Sequence, residues 1–174
     1  MDQKKISYYL ETYEHMIASR YTDHLQADAA QRGEVFFYIP SSGHEASATI
    51  ANHLNENDWL HLHYRDRALA YARGVSYETV FNGLFSRKNS NSAGRRMPAF
   101  PCDKSLNILS TPTLVGSNAL QAAGVAHTLK QNDEGSIIIV SVGDGSTQQG
   151  DFYEVFNLFY NFYVFFYQFA SLSF

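Results

Sequence analysis

The sequence predicts an α/β fold in which helices cover a parallel β-sheet. Residues 136–142 form an unbroken run rich in β-branched side chains, which is typical of a strand buried on both faces of such a sheet. Gly143-Asp144-Gly145 follows this run at once, and residues 151–160 return to the helical spacing of apolar side chains. A strand, a glycine loop and a helix in this order indicate the α/β class.

Length and composition predict one soluble globular domain covering residues 1–174. Of the 174 residues, 45% are hydrophobic and 17% are charged, which excludes a disordered or wholly membranous chain. The net charge of −4 argues against a general nucleic-acid-binding surface. The single cysteine, Cys102, cannot form an internal disulfide, and the N-terminus lacks a signal or transit pattern. We therefore expect a cytoplasmic protein.

Residues 1–64 are predicted to contain two helices and one strand. Apolar residues three and four positions apart predict a helix over residues 6–28, with its apolar stripe in the core. Ser42-Gly43-His44-Glu45 matches a capping box, which would begin a second helix that continues to Leu54. Residues 59–64 alternate apolar and polar side chains, a pattern typical of a short strand.

Further helices are predicted on both sides of a long loop. Residues 65–73 form one helix, and another begins after Ser76, whose hydroxyl is a suitable N-cap. Residues 86–104 combine Asn, Ser, Gly and Pro with several basic side chains, so a long basic loop is expected there. Residues 117–130 form the next helix, and its small side chains let another backbone approach closely.

A diphosphate and Mg²⁺ site is chemically sensible at Gly143-Asp144-Gly145. Ligands of open parallel sheets bind beyond the carboxyl ends of the strands, where this tripeptide lies. The glycines allow the backbone to turn sharply and approach a ligand, while the Asp144 carboxylate suits Mg²⁺. The alternative is an ordinary Asp-Gly turn between strand and helix, which the tripeptide alone favours.

His61 and His63 are a second candidate for metal binding, because they lie on one face if their segment is a strand. No third ligand is evident in the sequence, and two histidines at this spacing also occur by chance. We favour the interpretation that neither histidine binds a metal.

Five separated segments carry a resemblance to a known family. They are Ser41-Ser42-Gly43-His44-Glu45-Ala46, His63-Tyr64-Arg65-Asp66-Arg67-Ala68, Arg95-Arg96-Met97-Pro98, residues 113–124, and Gly143-Asp144-Gly145-Ser146-Thr147-Gln148-Gln149-Gly150-Asp151-Phe152. In this combination and order they resemble the alpha subunit, or alpha half, of the thiamine diphosphate-dependent 2-oxo acid dehydrogenases, the decarboxylating first component of those complexes. The resemblance covers residues 5–158.

The resemblance implies a three-layer thiamine diphosphate-binding fold with a parallel sheet, incomplete at its C-terminus. It also implies thiamine diphosphate and Mg²⁺ as cofactors. By the same resemblance, Asp144 binds the magnesium ion, and Gly143, Gly145 and Ser146 lie beside the diphosphate.

Two further pairs of cofactor-binding residues are implied by the resemblance. Tyr64 and Arg65 would contact the cofactor, and arginine suits a diphosphate because its planar guanidinium can donate two hydrogen bonds to phosphate oxygens. An ordinary ion pair with Asp66 is the alternative role for Arg65. Thr113 and Val115 fall where the family lays main-chain groups against the aminopyrimidine ring, although the family often has serine and leucine there.

The activity implied by the resemblance is the oxidative decarboxylation of a 2-oxo acid of the pyruvate or branched-chain type. The acyl group passes to a lipoyl-bearing acyltransferase, and a beta subunit or fused beta half supplies the carboxylate that activates the cofactor. No catalytic acid or base is assigned to this chain. The alternatives are a transketolase-like subunit acting on sugar phosphates and a truncated, non-catalytic fragment.

Residues 159–174 form an aromatic tail that departs from the family pattern. The family's second magnesium ligand, an asparagine, would fall near Leu172 or Ser173, which lack a side-chain amide. The chain is either a short protein with a divergent end or a C-terminally truncated one, and we favour truncation. In either case we expect it to bind the cofactors weakly or not at all and to decarboxylate no 2-oxo acid alone. The uncharged residues 155–174 could span a bilayer, but their polar side chains and missing basic flank favour a chain outside the membrane.

Overall fold

The computed structural model describes residues 3–98, 100–132, 135–159 and 164–169. By its internal contacts the chain divides into two compact units. The first unit consists of residues 1–54 and 64–101, and the second consists of residues 55–63 and 102–174. The expectation of one domain over residues 1–174 stays a prediction.

The first unit is helical in its described part. It contains α1 (Gln3–Gln31), a 3-10 helix (Glu45–His53), α2 (Arg67–Ala72) and α3 (Tyr77–Leu84). The predicted N-cap of α3 is confirmed, because the Ser76 hydroxyl accepts a hydrogen bond of 3.1 Å from the Thr79 amide. The helices predicted near α1 and α2 are also present, with ends shifted by a few residues.

The capping box predicted at Ser42 is wrong. The Ser42 hydroxyl donates to the Asp23 carboxylate at 2.7 Å instead of capping a helix. Glu45 accepts a hydrogen bond from Arg20 at 2.6 Å, and the segment it begins, Glu45–His53, is a 3-10 helix without a side-chain N-cap. Contacts with Arg20 and Asp23 of α1, and not the local capping pattern, therefore determine the hydrogen bonds of Ser42 and Glu45.

A buried ion pair joins α1 to α2. Asp23 and Arg67 are both buried, and the Arg67 Nη1 atom donates to the Asp23 carboxylate. The Arg67 Nη2 atom donates to Gln26 Oε1 at 3.0 Å and to the Ile39 carbonyl at 3.1 Å. The Ser41 amide donates to the same carboxylate at 2.8 Å. These bonds hold the chain around Ser41 against both helices.

The stripe of α1 that was expected to be core lies on the surface. Its apolar side chains are 50–63% exposed at Leu10, Tyr13, Ile17 and Tyr21. The buried face carries polar side chains instead, and hydrogen bonds satisfy those of Thr12, Thr22, Asp23 and Gln26. These buried side chains are Thr12, Ser19, Thr22, Asp23 and Gln26. Burial of polar groups is tolerated where they are hydrogen-bonded, as Thr22 is to the Tyr71 hydroxyl at 3.0 Å.

The second unit contains a parallel sheet, which confirms the predicted α/β class. Its strands are β1 (Trp59–His61), β2 (Ile138–Gly143) and β3 (Val164–Phe169), in the order β1-β2-β3. Both pairings are parallel, with Trp59 opposite Ile138 and Ile138 opposite Val164. β2 is therefore the central strand of the described sheet, as its apolar composition predicts.

Helices and short 3-10 turns accompany the sheet. They are a 3-10 turn (Lys104–Leu106), α4 (Asn118–Gln131), a 3-10 helix (Asp144–Gln148) and α5 (Gly150–Phe159). Ala122 and Ala126 of α4 pack in one buried cluster with Ile138, Val140 and Val142 of β2. The small alanine side chains allow this close approach of helix to sheet, as the sequence predicts.

A buried carboxylate ties the starts of β1 and β2. Asp58 is almost fully buried, and its two oxygens accept hydrogen bonds from Asn55 N at 2.6 Å and from Ile137 N at 2.9 Å. β1 has only three residues, so few backbone hydrogen bonds join it to β2. The Asp58 side chain adds a further hydrogen bond between the two segments, just before both strands begin.

The aromatic tail contributes β3, whose backbone pairs with β2 as far as Phe169 opposite Gly143. Leu172 and Ser173, where the second magnesium ligand of the family would fall, lie outside the described residues. Within the part of the chain that is described, no helix is both long and apolar enough to cross a membrane.

Replacement of Arg67 by Met should destabilise the chain strongly. The Asp23 carboxylate would stay buried without its guanidinium, and the loss of one partner of a buried pair costs about 3–5 kcal/mol. Urea unfolding followed by circular dichroism measures this change. Arg32→Met is the matched control, since its ion pair with Glu34 is exposed and should contribute nothing measurable. Equal unfolding midpoints for the two variants would contradict the role given to Arg67.

Candidate active site

The candidate site lies at the carboxyl end of the central strand. Gly143 is the last residue of β2, and Asp144 is the first residue of the 3-10 helix that follows. Asp144 and Gly145 are exposed, whereas Ser146 is buried. The loop therefore presents a carboxylate and an uncovered stretch of backbone at the edge where ligands of parallel sheets bind.

The two glycines of this loop leave space on its outer side. A Cβ atom on Gly145 would have no other atom within 4 Å, apart from those of its chain neighbours. On Gly143 the nearest atoms would be His63 Nε2 at 3.7 Å and Ser146 Oγ at 3.8 Å, which are ordinary contacts. Neither glycine has a positive φ. The turn from β2 into the 3-10 helix therefore does not use the left-handed conformation that favours glycine, and no steric demand of the described protein atoms explains Gly145.

The loop before α4 packs against the same 3-10 helix through Gly116. Gly116 has a φ of +85°, and a Cβ atom there would lie 3.0 Å from Gln149 Cβ and 3.3 Å from the Ser146 carbonyl oxygen. A larger residue would therefore be strained in backbone conformation and would also clash. Thr113 and Val115, in the same loop, are exposed. The structure thus brings the segment of Thr113 and Val115 to Ser146.

Two side-chain hydrogen bonds fasten the carboxyl ends of β1 and β2 to the start of α4. The His63 amide donates to Ser141 Oγ at 2.6 Å, and Asn118 Nδ2 donates to the Ser141 carbonyl at 2.8 Å. Sequence reasoning missed Ser141 and Asn118 as supporting residues. The available signal was a serine within an otherwise apolar buried strand, because such a hydroxyl needs a hydrogen-bond partner.

Tyr64 and Arg65 belong to the first unit, while the other predicted site residues belong to the second. Arg65 Nη1 donates to the Pro40 carbonyl at 3.0 Å, and its Cζ atom lies 5.1 Å from the centre of the Tyr64 ring. The Tyr64 ring also contacts Phe100, with 6.0 Å between centroids. Burial lowers the pKa of His44, the positive charge of Arg65 lowers it further, and Glu45 opposes the shift.

His61 is a buried side chain of β1 with a structural partner. It is fully buried, and its Nε2 atom lies 2.8 Å from Gln121 Oε1 on α4. Its Nδ1 atom has no hydrogen-bond partner within the described ranges. Those ranges also contain no group of three or more His, Cys, Asp or Glu side chains that could hold a metal ion. The metal site considered for His61 and His63 therefore gains no support.

Comparison with known proteins places this chain in a family. The family model described as "Dehydrogenase E1 component" matches residues 13–163, and the chain belongs to this family. The match extends into the aromatic tail, which starts at residue 159.

Two curated relatives show how much of a family member the chain represents. It is 33% identical over 149 residues to the pyruvate dehydrogenase E1 component subunit alpha of Staphylococcus aureus (strain Mu50), covering 85% of this chain and 38% of that protein. It is 31% identical over 146 residues to the mitochondrial 2-oxoisovalerate dehydrogenase subunit alpha 1 of Arabidopsis thaliana, covering 83% of this chain and 31% of that protein. The chain therefore spans about a third of the length of these curated relatives.

The stability of the chain should fall as the pH decreases below about 6.5, in part because of His61. Burial lowers the pKa of His61 in the folded chain, while the Gln121 hydrogen bond opposes the shift. In the unfolded chain this histidine has an ordinary pKa of about 6.5, so below pH 6.5 the unfolded chain binds more protons than the folded chain. The contribution of His61 to stability is therefore present above pH 6.5 and is lost as the pH falls below this value.

Unfolding midpoints in urea at pH 7.5, 6.5 and 5.5 measure this loss. His61→Gln should reduce the difference between pH 7.5 and pH 5.5, leaving the similarly directed contribution of His44. His127→Gln, at an exposed position of α4, should keep the difference of the unchanged chain. A pH dependence that is the same in all three proteins would show that His61 contributes nothing to it.

Proposed function

We propose that this chain supplies the thiamine diphosphate-binding part of an E1 alpha subunit of a 2-oxo acid dehydrogenase. The observation that carries the proposal is the exposed Asp144 carboxylate beside the uncovered backbone of Gly145, at the carboxyl end of the central strand. Family membership and the names of the relatives, pyruvate and 2-oxoisovalerate dehydrogenase alpha subunits, support the reaction class. The full three-layer cofactor-binding fold is part of the same proposal.

The residues of the loop fit a diphosphate with Mg²⁺. Mg²⁺ is usually held by one or two carboxylates together with phosphate oxygens and water, so a single exposed carboxylate at Asp144 is an adequate protein contribution. Gly145 has open space where a side chain would stand, so phosphate oxygens can reach its backbone. The Ser146 hydroxyl is a hydrogen-bond donor in the same loop. Asp144 would bind the metal, and Gly143, Gly145 and Ser146 would line the diphosphate.

Thr113 and Val115 would present main-chain groups to the aminopyrimidine ring. Their loop is exposed and lies against Ser146 through Gly116, which supports a shared ligand for the two segments. Gly116 packs closely against Gln149 and Ser146, and this packing restrains the main-chain groups of the loop before a ligand binds.

Tyr64 and Arg65 are proposed as further cofactor contacts on the strength of their place in the family motif. A guanidinium carries five N–H donors in one plane, and the bond of Arg65 to the Pro40 carbonyl orients that plane. Contact with the Tyr64 ring restrains the side chain further. Both contacts lower the conformational entropy that a phosphate-binding arginine loses on binding.

When bound, thiamine diphosphate supplies the carbanion and the electron sink that decarboxylation requires. The residues of this chain hold the diphosphate, the metal and the ring, and none of them is proposed as an acid or base. A beta subunit, or a fused beta half, would supply the activating carboxylate, and a lipoyl-bearing acyltransferase would take the acyl group. The exposed apolar stripe of α1 supports association with another chain, since such surfaces mark contact sites.

Binding measurements with the unchanged chain test the proposal. Thiamine diphosphate should bind in a Mg²⁺-dependent manner, with weak affinity for the chain alone. No decarboxylation of a 2-oxo acid is expected until a beta partner is added. Failure to detect Mg²⁺-dependent binding at millimolar concentrations, by chemical-shift changes in NMR spectra, would refute the proposed function.

Replacement of Asp144 by Asn should weaken Mg²⁺-dependent binding of thiamine diphosphate by about tenfold or more, since an amide contributes no negative charge to the metal. Titration with the cofactor at several Mg²⁺ concentrations measures the effect. Asp151→Asn, an exposed carboxylate of α5, is the control and should bind like the unchanged chain. Unaltered binding by the Asp144 variant would remove this residue from the metal site.

Replacement of Arg65 by Ala should weaken binding of thiamine diphosphate by about tenfold, because a charge-assisted hydrogen bond to phosphate is lost. Binding of thiamine, which lacks the diphosphate, should change little. The same titration with the two ligands separates these cases. An equal loss for both ligands would indicate a folding defect instead of a lost phosphate contact.

A further inference from the structure

His63 is a polar side chain at the candidate site that the functional assignment has not used. It lies two residues after the end of β1, where its backbone amide is bonded to Ser141 of β2 at 2.6 Å. Its imidazole Nε2 atom is 3.7 Å from the point where a Cβ atom of Gly143 would stand. The ring is half-buried and therefore borders the glycine loop while remaining accessible.

The same point beside Gly143 has a second polar neighbour. Ser146 Oγ lies 3.8 Å from it, so an imidazole nitrogen and a hydroxyl flank the place that the missing side chain leaves open. An imidazole N–H and a hydroxyl are both hydrogen-bond donors, and oxygens of a phosphate are strong acceptors. Both groups lie beside half-buried Gly143, where they would donate to an anionic oxygen placed between them.

We propose that His63 donates a hydrogen bond from Nε2 to the diphosphate held by the Gly143–Ser146 loop. This inference rests on the proposed function and adds a residue to the ligand-binding set. The Ser141 bond fixes the backbone of His63 relative to β2, so the ring is held at the loop by the sheet itself. His63 thereby adds a ligand contact from the segment that follows β1. The residues already assigned in this unit lie at the end of β2, just after it, or before α4.

NMR titration of the chain with labelled histidine tests the proposal directly. The chain has seven histidines, and the ring signal of His63 is identified by its disappearance in His63→Leu. Addition of thiamine diphosphate with Mg²⁺ should shift the His63 signal, while addition of thiamine with Mg²⁺ should leave it in place. The exposed His127 serves as the internal reference, since its signal should not move with either ligand.

Two variants then measure the contribution of the side chain. His63→Leu removes the donor while keeping apolar bulk, and should weaken binding of thiamine diphosphate by about tenfold with no change for thiamine. His63→Gln keeps an N–H donor at a similar reach and should bind within about threefold of the unchanged chain. His127→Leu is the matched control and should bind like the unchanged chain.

The outcomes separate this inference from the proposed function. Binding by the unchanged chain with equal binding by His63→Leu overturns the inference alone. An equal loss of thiamine diphosphate and thiamine in His63→Leu also overturns it, because the role of His63 would then be structural. An absence of thiamine diphosphate binding by the unchanged chain overturns the proposed function and the inference together.

Discussion

The buried carboxylate of Asp23 is the constraint on which the first unit depends. A buried charge is costly unless it is paired and hydrogen-bonded, and this carboxylate accepts from Arg67, from the Ser41 amide and from the Ser42 hydroxyl. The donors come from two separate parts of the chain, residues 41–42 and Arg67, so satisfying one carboxylate fixes the position of α2 against α1. Because Arg67 begins α2, the preceding Tyr64 and Arg65 are positioned by the same interaction.

In the second unit, side-chain hydrogen bonds support a sheet whose first strand is short. β1 supplies three residues, and a ladder of that length leaves both ends of the pairing weakly fixed. Asp58 bridges the strands at their start, and Ser141 bridges them at their end. The second bridge acts directly at the candidate site, since it places His63 next to Gly143. Side-chain hydrogen bonds therefore position the edge of this sheet at which the candidate site lies.

Local patterns in the sequence predict where helices and strands lie better than they predict which face of a helix is buried. The buried run of β2, the glycine loop and the Ser76 cap all depend on neighbouring residues, so the sequence alone is sufficient for them. The α1 stripe was assigned to the wrong face, because the partners of its polar side chains lie far away in the sequence. Tyr71, for example, is 49 residues from its partner Thr22. The Ser42 prediction failed for the same reason.

The candidate site shows the same division between local and distant information. The sequence places Asp144 and Gly145 in one loop and gives their chemistry, but it cannot show which distant side chains border that loop. Gly145 is one such case, because neither a positive φ nor a crowded environment within the described chain accounts for its lack of a side chain, and the same holds for Gly83, Gly124 and Gly150. Under the proposed function, a ligand that approaches the backbone would account for the glycine at position 145. The structure adds the neighbours of this loop: His63, which follows β1, and Ser146, in the 3-10 helix after β2, both lie near Gly143.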